Sequence, residues 1–200
     1  MRYILLFLMV TSSLWAITPD EALQQLKIGN QHFMDDVFRP KDLSYTRRML
    51  ISNQEPFCAI LTCSDSRVDP GFIFDKNLGD LFVIRLAGNV ASPVAMESID
   101  YAAIVLKVPL LIVMGHENCG AIDAILQSKA PPELVPEIAA LVDPYISRER
   151  TLKESIIDNA KGQASLLKQH PILQKALKEG TLKVVAAYYD FSTGKVDFFE

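Results

Sequence analysis

The sequence predicts an α/β domain: a mostly parallel central β-sheet with an antiparallel edge strand, flanked by helices. Three observations predict it. The runs FCAILTC (57–63), DLFVIRLA (80–87) and PLLIVMGH (109–116) are nearly continuous in apolar residues, the composition of strands buried on both faces, as in parallel sheets. Helical patterns lie between these runs, which points to helices covering the sheet. A fourth run, KVVAAYYD (183–190), leads through STGK into VDFF, a hairpin that adds the antiparallel edge.

The elements follow in order. MRYILLFLMVTSSLWA (1–16) has a single early charge at Arg2, an apolar run from Tyr3 to Val10, and small or polar residues up to Ala16. That is the layout of a secretory signal peptide, too short to span a bilayer comfortably. Leu14 sits where a small residue is preferred, and the alternative is an apolar arm packed on the domain. The expectation is an exported, periplasmic protein, free of the membrane once residues 1–16 are removed, with 17–200 as one domain. TPDEALQQLKIGNQHFMDD then opens with Thr18 as a cap, Pro19 at the first helical position and Glu21 completing a capping box. Leu23, Leu26 and Phe33 recur at helical spacing. Helices are also predicted over 92–108, over 120–127 and over 148–170, the last ending before Pro171. KAPPELVPE (129–137) reads as a proline-rich connector. Half of the 200 residues are hydrophobic and 22% are charged, a globular composition. A net charge of −4 leaves no basic footprint for nucleic acid.

In sheets of this kind, ligands bind at the carboxyl ends of the strands. Cys63 closes one strand pattern and His116 another, with Cys119 three residues on, where a helix begins. Two thiolates and an imidazole form a set that favours zinc and that, in catalytic sites, leaves a fourth position open. The bland readings are a helix-cap histidine and buried thiols. In an oxidising compartment Cys63 and Cys119 could instead pair as a disulfide. Asp65 and Arg67, two residues apart, can pair and keep the carboxylate ionised. Beside a metal that pair becomes a switch: Asp65 either binds the ion as a fourth ligand or pairs with Arg67 and leaves room for water. Cys58 points to the opposite strand face as an inert thiol. His32 and His170 read as solvent-facing or structural.

CSDSRV (63–68) with GHENCGA (115–121) resembles the β-class carbonic anhydrases. EALQQLKIGN (21–30), GDLFVIRLAGN (79–89), SIDYA (98–102) and AAYYDFSTGKV (186–196) extend the resemblance over nearly all of the chain after residue 16. It implies a zinc enzyme that hydrates carbon dioxide reversibly to bicarbonate and a proton by way of a zinc-bound hydroxide, with one Zn2+ per chain. It assigns Cys63, His116 and Cys119 to the metal, with Asp65 as the alternating fourth ligand. Asp65 and Arg67 become the catalytic dyad, and Gln54 a glutamine whose amide contacts the substrate. Phe82, Ala87 and Tyr101 become the apolar lining of the substrate pocket. Part of such a lining comes from a neighbouring subunit in this family, so a homodimer or higher homo-oligomer is implied. Two positions depart from the pattern. Ile60 replaces the tryptophan that marks a second, inhibitory bicarbonate site, which favours the form with an open fourth position. Asp100 stands where the family commonly has Glu.

Two rival readings remain at this stage. The same scaffold could hydrolyse carbon disulfide or carbonyl sulfide. Alternatively, the metal could merely staple strand ends in a binding module that is not an enzyme; Arg67 weighs against this, because it gives Asp65 a partner other than the ion.

Overall fold

The computed structural model describes residues 17–37, 40–128 and 135–200; the signal-peptide reading of 1–16 and most of the 129–137 connector lie outside them. Five strands are present among the described residues: β1 (Cys58–Thr62), β2 (Leu81–Arg85), β3 (Leu110–His116), β4 (Lys183–Tyr189) and β5 (Val196–Phe199). Their order is β2-β1-β3-β4-β5. The first four pair in parallel, and β5 pairs antiparallel to β4, so the mixed sheet and its antiparallel edge are as the sequence predicts.

Alternation along the strands builds two cores. Leu61, Leu111, Val113, Val184 and Ala186 face one side. There they meet Ala95 and Ile99 of helix α4 (Pro93–Asp100) and Ala160, Ala164 and Leu167 of helix α7 (Leu152–Gln169). Ile60, Leu110, Ile112, Met114 and Val185 face the other side, against Leu23 and Leu26 of helix α1 (Pro19–Met34). Each buried Leu, Ile, Val or Met side chain is worth about 1.5–3 kcal/mol, and an alanine methyl less. Cys58 is fully buried on this second face, away from Cys63, and burial pushes its thiol well up. The close approach of α7 to the sheet depends on Gly115: a Cβ there would lie 2.8 Å from Ile156 Cγ2.

Capping follows the sequence closely. Thr18 and Glu21 form the predicted capping box on α1, and Thr151 and Glu154 form a second on α7. Other expectations are revised. Helix α2 (Leu43–Met49) has no buried residue, and so no apolar face that periodicity could reveal. The short helices α3 (Pro70–Ile73), α5 (Gly120–Leu126), α6 (Pro136–Val142) and α8 (Gln174–Lys178) complete the set among the described residues. The end of the predicted connector is the start of α6, with Pro136 at its first position, where a missing N–H costs nothing. The helix predicted over 92–108 is α4 continued by a wider π-type segment, Tyr101–Val105. β2 is not buried on both faces: it is an edge strand, with only Ile84 buried and Val83 40% exposed.

Candidate metal centre

The sheet changes direction between its two central strands. The chain leaves β1 for β2 on one side and returns as β3 on the other, and the carboxyl ends at such a crossing are where ligands settle. Cys63 follows the last residue of β1, and His116 is the last residue of β3, whose register with β1 sets Thr62 beside Met114. Asn118, with φ 52°, turns the chain so that Cys119 becomes the N-cap of α5. Three residues from distant parts of the sequence therefore share one point, and all three are buried.

The donor atoms of Cys63, His116 and Cys119 lie within 4.8 Å of one another. The sulfurs are 4.0 Å apart and unbonded, so the disulfide alternative is not adopted. Two thiolates on a tetrahedral zinc ion at ~2.3 Å sit ~3.8 Å from each other. His116 Nδ1 donates to the Glu117 carbonyl at 2.9 Å, which leaves Nε2 with a bare lone pair. That Nε2 is buried and has no hydrogen-bond partner, a condition a metal ion relieves. The residues therefore fit a dication.

The thiols support the same conclusion. The two sulfurs share a hydrogen bond, which is the main influence lowering Cys63, aided by the backbone N–H groups of Asp65 and Gly88. The same bond and burial drive Cys119 well up, against the N–H groups of Ala121 and Ile122. Thiol ligands bind a dication as thiolates, so loading the site releases protons.

Asp65 lies beside this centre. Its carboxylate accepts from the Arg67 backbone N–H and Nε–H, each at 2.9 Å, and from Nη2 at 2.8 Å. The bidentate Arg67 contact is the main cause holding Asp65 well below the usual carboxylate range. Oδ2 is 3.9 Å from His116 Nε2, so the carboxylate is within reach of the ion's position yet committed to Arg67.

The pocket residues are placed less uniformly. Phe82 and Tyr101 pack with ring centroids 6.1 Å apart, and Ala87 opens the short turn between β2 and α4. Gln54 precedes β1 and is exposed, at the opposite end of that strand from Cys63. It shares a surface cavity of about 380 Å3 with Tyr101 and Leu106. Within one chain the fold does not bring Gln54 to the cysteines.

Sequence reading passed over the frame around Cys63. Gly88 adopts φ 70°, which suits a residue without a Cβ, and its N–H points at the Cys63 sulfur. Its carbonyl accepts from Asn159 Nδ2 at 2.9 Å. Gln163 then donates to Asn159 at 3.2 Å and accepts from the Ala91 N–H at 3.0 Å. The signal was available: Ser155, Asn159 and Gln163 recur every four residues on the buried face of α7. His32 and His170 are structural, paired with Asp75 at 3.1 Å and with Asp100 at 3.0 Å. The shortened Asp100 therefore has a partner.

Fold and site together define a class: a mostly parallel α/β sheet carrying a Cys-His-Cys metal-ligating set at its switch point. Comparison with known proteins narrows it. The carbonic anhydrase family profile matches residues 58–196. A carbonic anhydrase of Mycolicibacterium smegmatis is 34% identical over 90% of this chain and 92% of its own length. Carbonic anhydrase 2 of Mycobacterium tuberculosis is 33% identical over 88% and 91%. The solved β-carbonic anhydrase CcaA superposes with a TM-score of 0.69 at 28% identity, over 89% of this chain and 87% of its own. The chain belongs to the β-class carbonic anhydrase family and is an enzyme of that class. The family is zinc-dependent.

Proposed function

We propose that the protein catalyses the reversible hydration of carbon dioxide to bicarbonate and a proton, with one zinc ion held by Cys63, His116 and Cys119. The observation that carries this reading is the convergence of those three donors beside an Asp65 that is held by Arg67 and so leaves a fourth position for solvent. When bound, zinc supplies a Lewis acid that brings the pKa of water down toward ~7. Arg67 fixes the Asp65 carboxylate, which accepts a hydrogen bond from the attacking oxygen and aims its lone pair at the substrate carbon. Phe82, Ala87 and Tyr101 give a small unhydrated gas an apolar approach. The Gln54 amide donates to the oxygen that becomes negative as the C–O bond forms.

Gln54 serves the site of a second copy in this reading. Support comes from the surface beside it: among the described residues β2 has an unpaired edge, and Val94, Ile104 and Val105 stand exposed on the helical stretch that carries Tyr101. An apolar surface around an open strand edge fits a homodimer. Residues 1–16 are a signal peptide in the same reading, giving an exported protein with 17–200 as its working domain; among the described residues no helix is long and apolar enough to cross a membrane.

The test is a side-by-side assay of the full chain, with its metal quantified, on carbon dioxide, carbonyl sulfide and carbon disulfide from neutral to alkaline pH. Hydration of carbon dioxide, rising with pH, supports the reading. Turnover of the sulfur gases alone, or of none, overturns it.

A further inference from the structure

Arg67 has another contact besides Asp65. Its guanidinium carbon lies 4.4 Å from the centroid of the Phe191 ring. The ring also meets His116, at 5.3 Å between centroids, and Tyr189, edge-on at 5.3 Å. Phe191 thus forms a shelf at the rim of the candidate metal centre, with His116 and Tyr189 beside it and Arg67 over its face.

The shelf is itself anchored. It stands on the turn between β4 and β5, closed by the Gly194 N–H to the Asp190 carbonyl at 2.9 Å. The turn is tied to the metal loop by Glu117, whose Oε2 accepts from the backbone N–H of Phe191 at 2.9 Å and of Ser192 at 3.2 Å, and from the Ser192 hydroxyl at 3.3 Å. The Glu117 N–H in turn donates to the Tyr189 carbonyl at 2.8 Å. The loop that carries His116 and Cys119 and the turn that carries Phe191 are therefore tied to each other. Arg67 needs such support. Its side chain is 54% exposed, and among the described residues its one hydrogen bond beyond Asp65 is to the Asn118 carbonyl, at 3.5 Å. A long exposed side chain loses rotamer freedom on being fixed, and an aromatic face offsets part of that loss by attracting the cation.

We propose that Phe191 is a positioning residue: its π face holds Arg67 in the orientation that keeps Asp65 away from the metal, so that the ring biases the centre toward its open, water-accepting form. This deepens the hydration reading and rests on it. The bias acts only through Arg67; Phe191 touches no reacting atom.

The experiment follows hydrogen exchange of the Arg67 Nε–H by NMR in the zinc-loaded full chain, the resonance being assigned by its loss in Arg67→Lys. Three variants are compared with the parent: Phe191→Ala, Phe191→Leu, which keeps apolar bulk against His116 and Tyr189 without a π face, and Phe191→Tyr, which restores the face. Exchange is expected to be about two- to fivefold faster in the Ala and Leu variants, the range of an exposed cation–π contact, with the parent rate in Tyr. Hydration should fall by the same factor at unchanged zinc content. If Ala does not fold, Leu decides. Parent-like exchange in Leu, or fast exchange in Tyr, overturns the proposal. Failure of the underlying reading looks different: the parent itself would lack zinc or hydration activity, whatever the ring does to Arg67.

Discussion

Replacing Asp65 with Asn separates orientation of the attacking oxygen from metal binding. The carboxylate has two oxygens and both are used: Oδ1 accepts from the Arg67 backbone and Nε, and Oδ2 accepts from Nη2 while facing His116 Nε2 at 3.9 Å. An amide keeps one acceptor and turns the other into a donor. If the remaining oxygen stays with Nε, the N–H₂ takes the Oδ2 position, donor against Nη2, and the attacking oxygen has no acceptor; if it flips, the N–H₂ meets the Arg67 backbone N–H and Nε–H, donor against donor, and the side chain loses its hold on Arg67. Either way the attacking oxygen loses a fixed acceptor. Groups that handle a proton in the transition state are worth about 10²–10⁴ in rate. In the proposed mechanism Asp65 orients the attacking oxygen and removes no proton, so the lower end applies: kcat/KM should fall about 100-fold, about 2.7 kcal/mol of barrier. Zinc should remain near one per chain, because Cys63, His116 and Cys119 are untouched. The assay is stopped-flow hydration with a pH indicator on protein whose metal content is measured on the same sample. Parent activity in Asp65→Asn would refute the role given to the carboxylate, and zinc lost in proportion to rate would make Asp65 a standing ligand.

Further outcomes follow from the same geometry. Zinc is held by thiolates, and the hydrogen bond with Cys63 together with burial raises the Cys119 pKa, so loading must release a proton and affinity should rise with pH and weaken as pH falls; competition with a chelator at several pH values measures this, and a flat profile would contradict thiolate ligation. The Asp65–Arg67 pair, whose carboxyl pKa lies below the ordinary value, contributes stability that is present above the unfolded pKa near ~3.9 and is lost only as pH falls through the lower folded value. Acid unfolding of Arg67→Met should therefore begin at higher pH than in the parent, and coincident curves would remove the pair from the balance. Gly115→Val places a side chain where Ile156 Cγ2 stands 2.8 Å from the Cβ position, and should cost about 1–3 kcal/mol in urea denaturation; an unchanged midpoint would show that α7 can retreat freely. Val83→Glu puts a charge in the middle of the open β2 edge and should yield a monomer by sedimentation with much reduced hydration, whereas a fully active monomer would end the assignment of Gln54 to a neighbour's site.

The sheet was legible because parallel strands between helices need long apolar runs, and β1, β3 and β4 have them. β2 misled for the same reason: its run is as apolar as theirs, yet among the described residues no strand pairs with its outer edge. α2 was invisible because its Leu43, Tyr45 and Met49 face solvent, so its sequence carries no core-facing stripe. Pro136 falls in the stretch that reads as a proline-rich connector yet starts a helix, an ambiguity in proline that only the following residues resolve. At the centre, the three donors and the Asp65–Arg67 pair could be found because reactive residues at strand ends are rare. The supports could not. That Gly88 directs its N–H at Cys63, that Asn159 holds Gly88, and that Phe191 lies against Arg67 are all contacts made across the fold, between residues whose types are ordinary where they stand.

The most direct measurement pairs zinc content with carbon dioxide hydration in the parent chain and in Cys63→Ser. The account predicts about one zinc per chain and rapid hydration in the parent, and loss of both together in the variant, since a serine hydroxyl is a poor substitute for a thiolate ligand. A Cys63→Ser protein free of zinc that hydrates carbon dioxide as fast as the parent would contradict it.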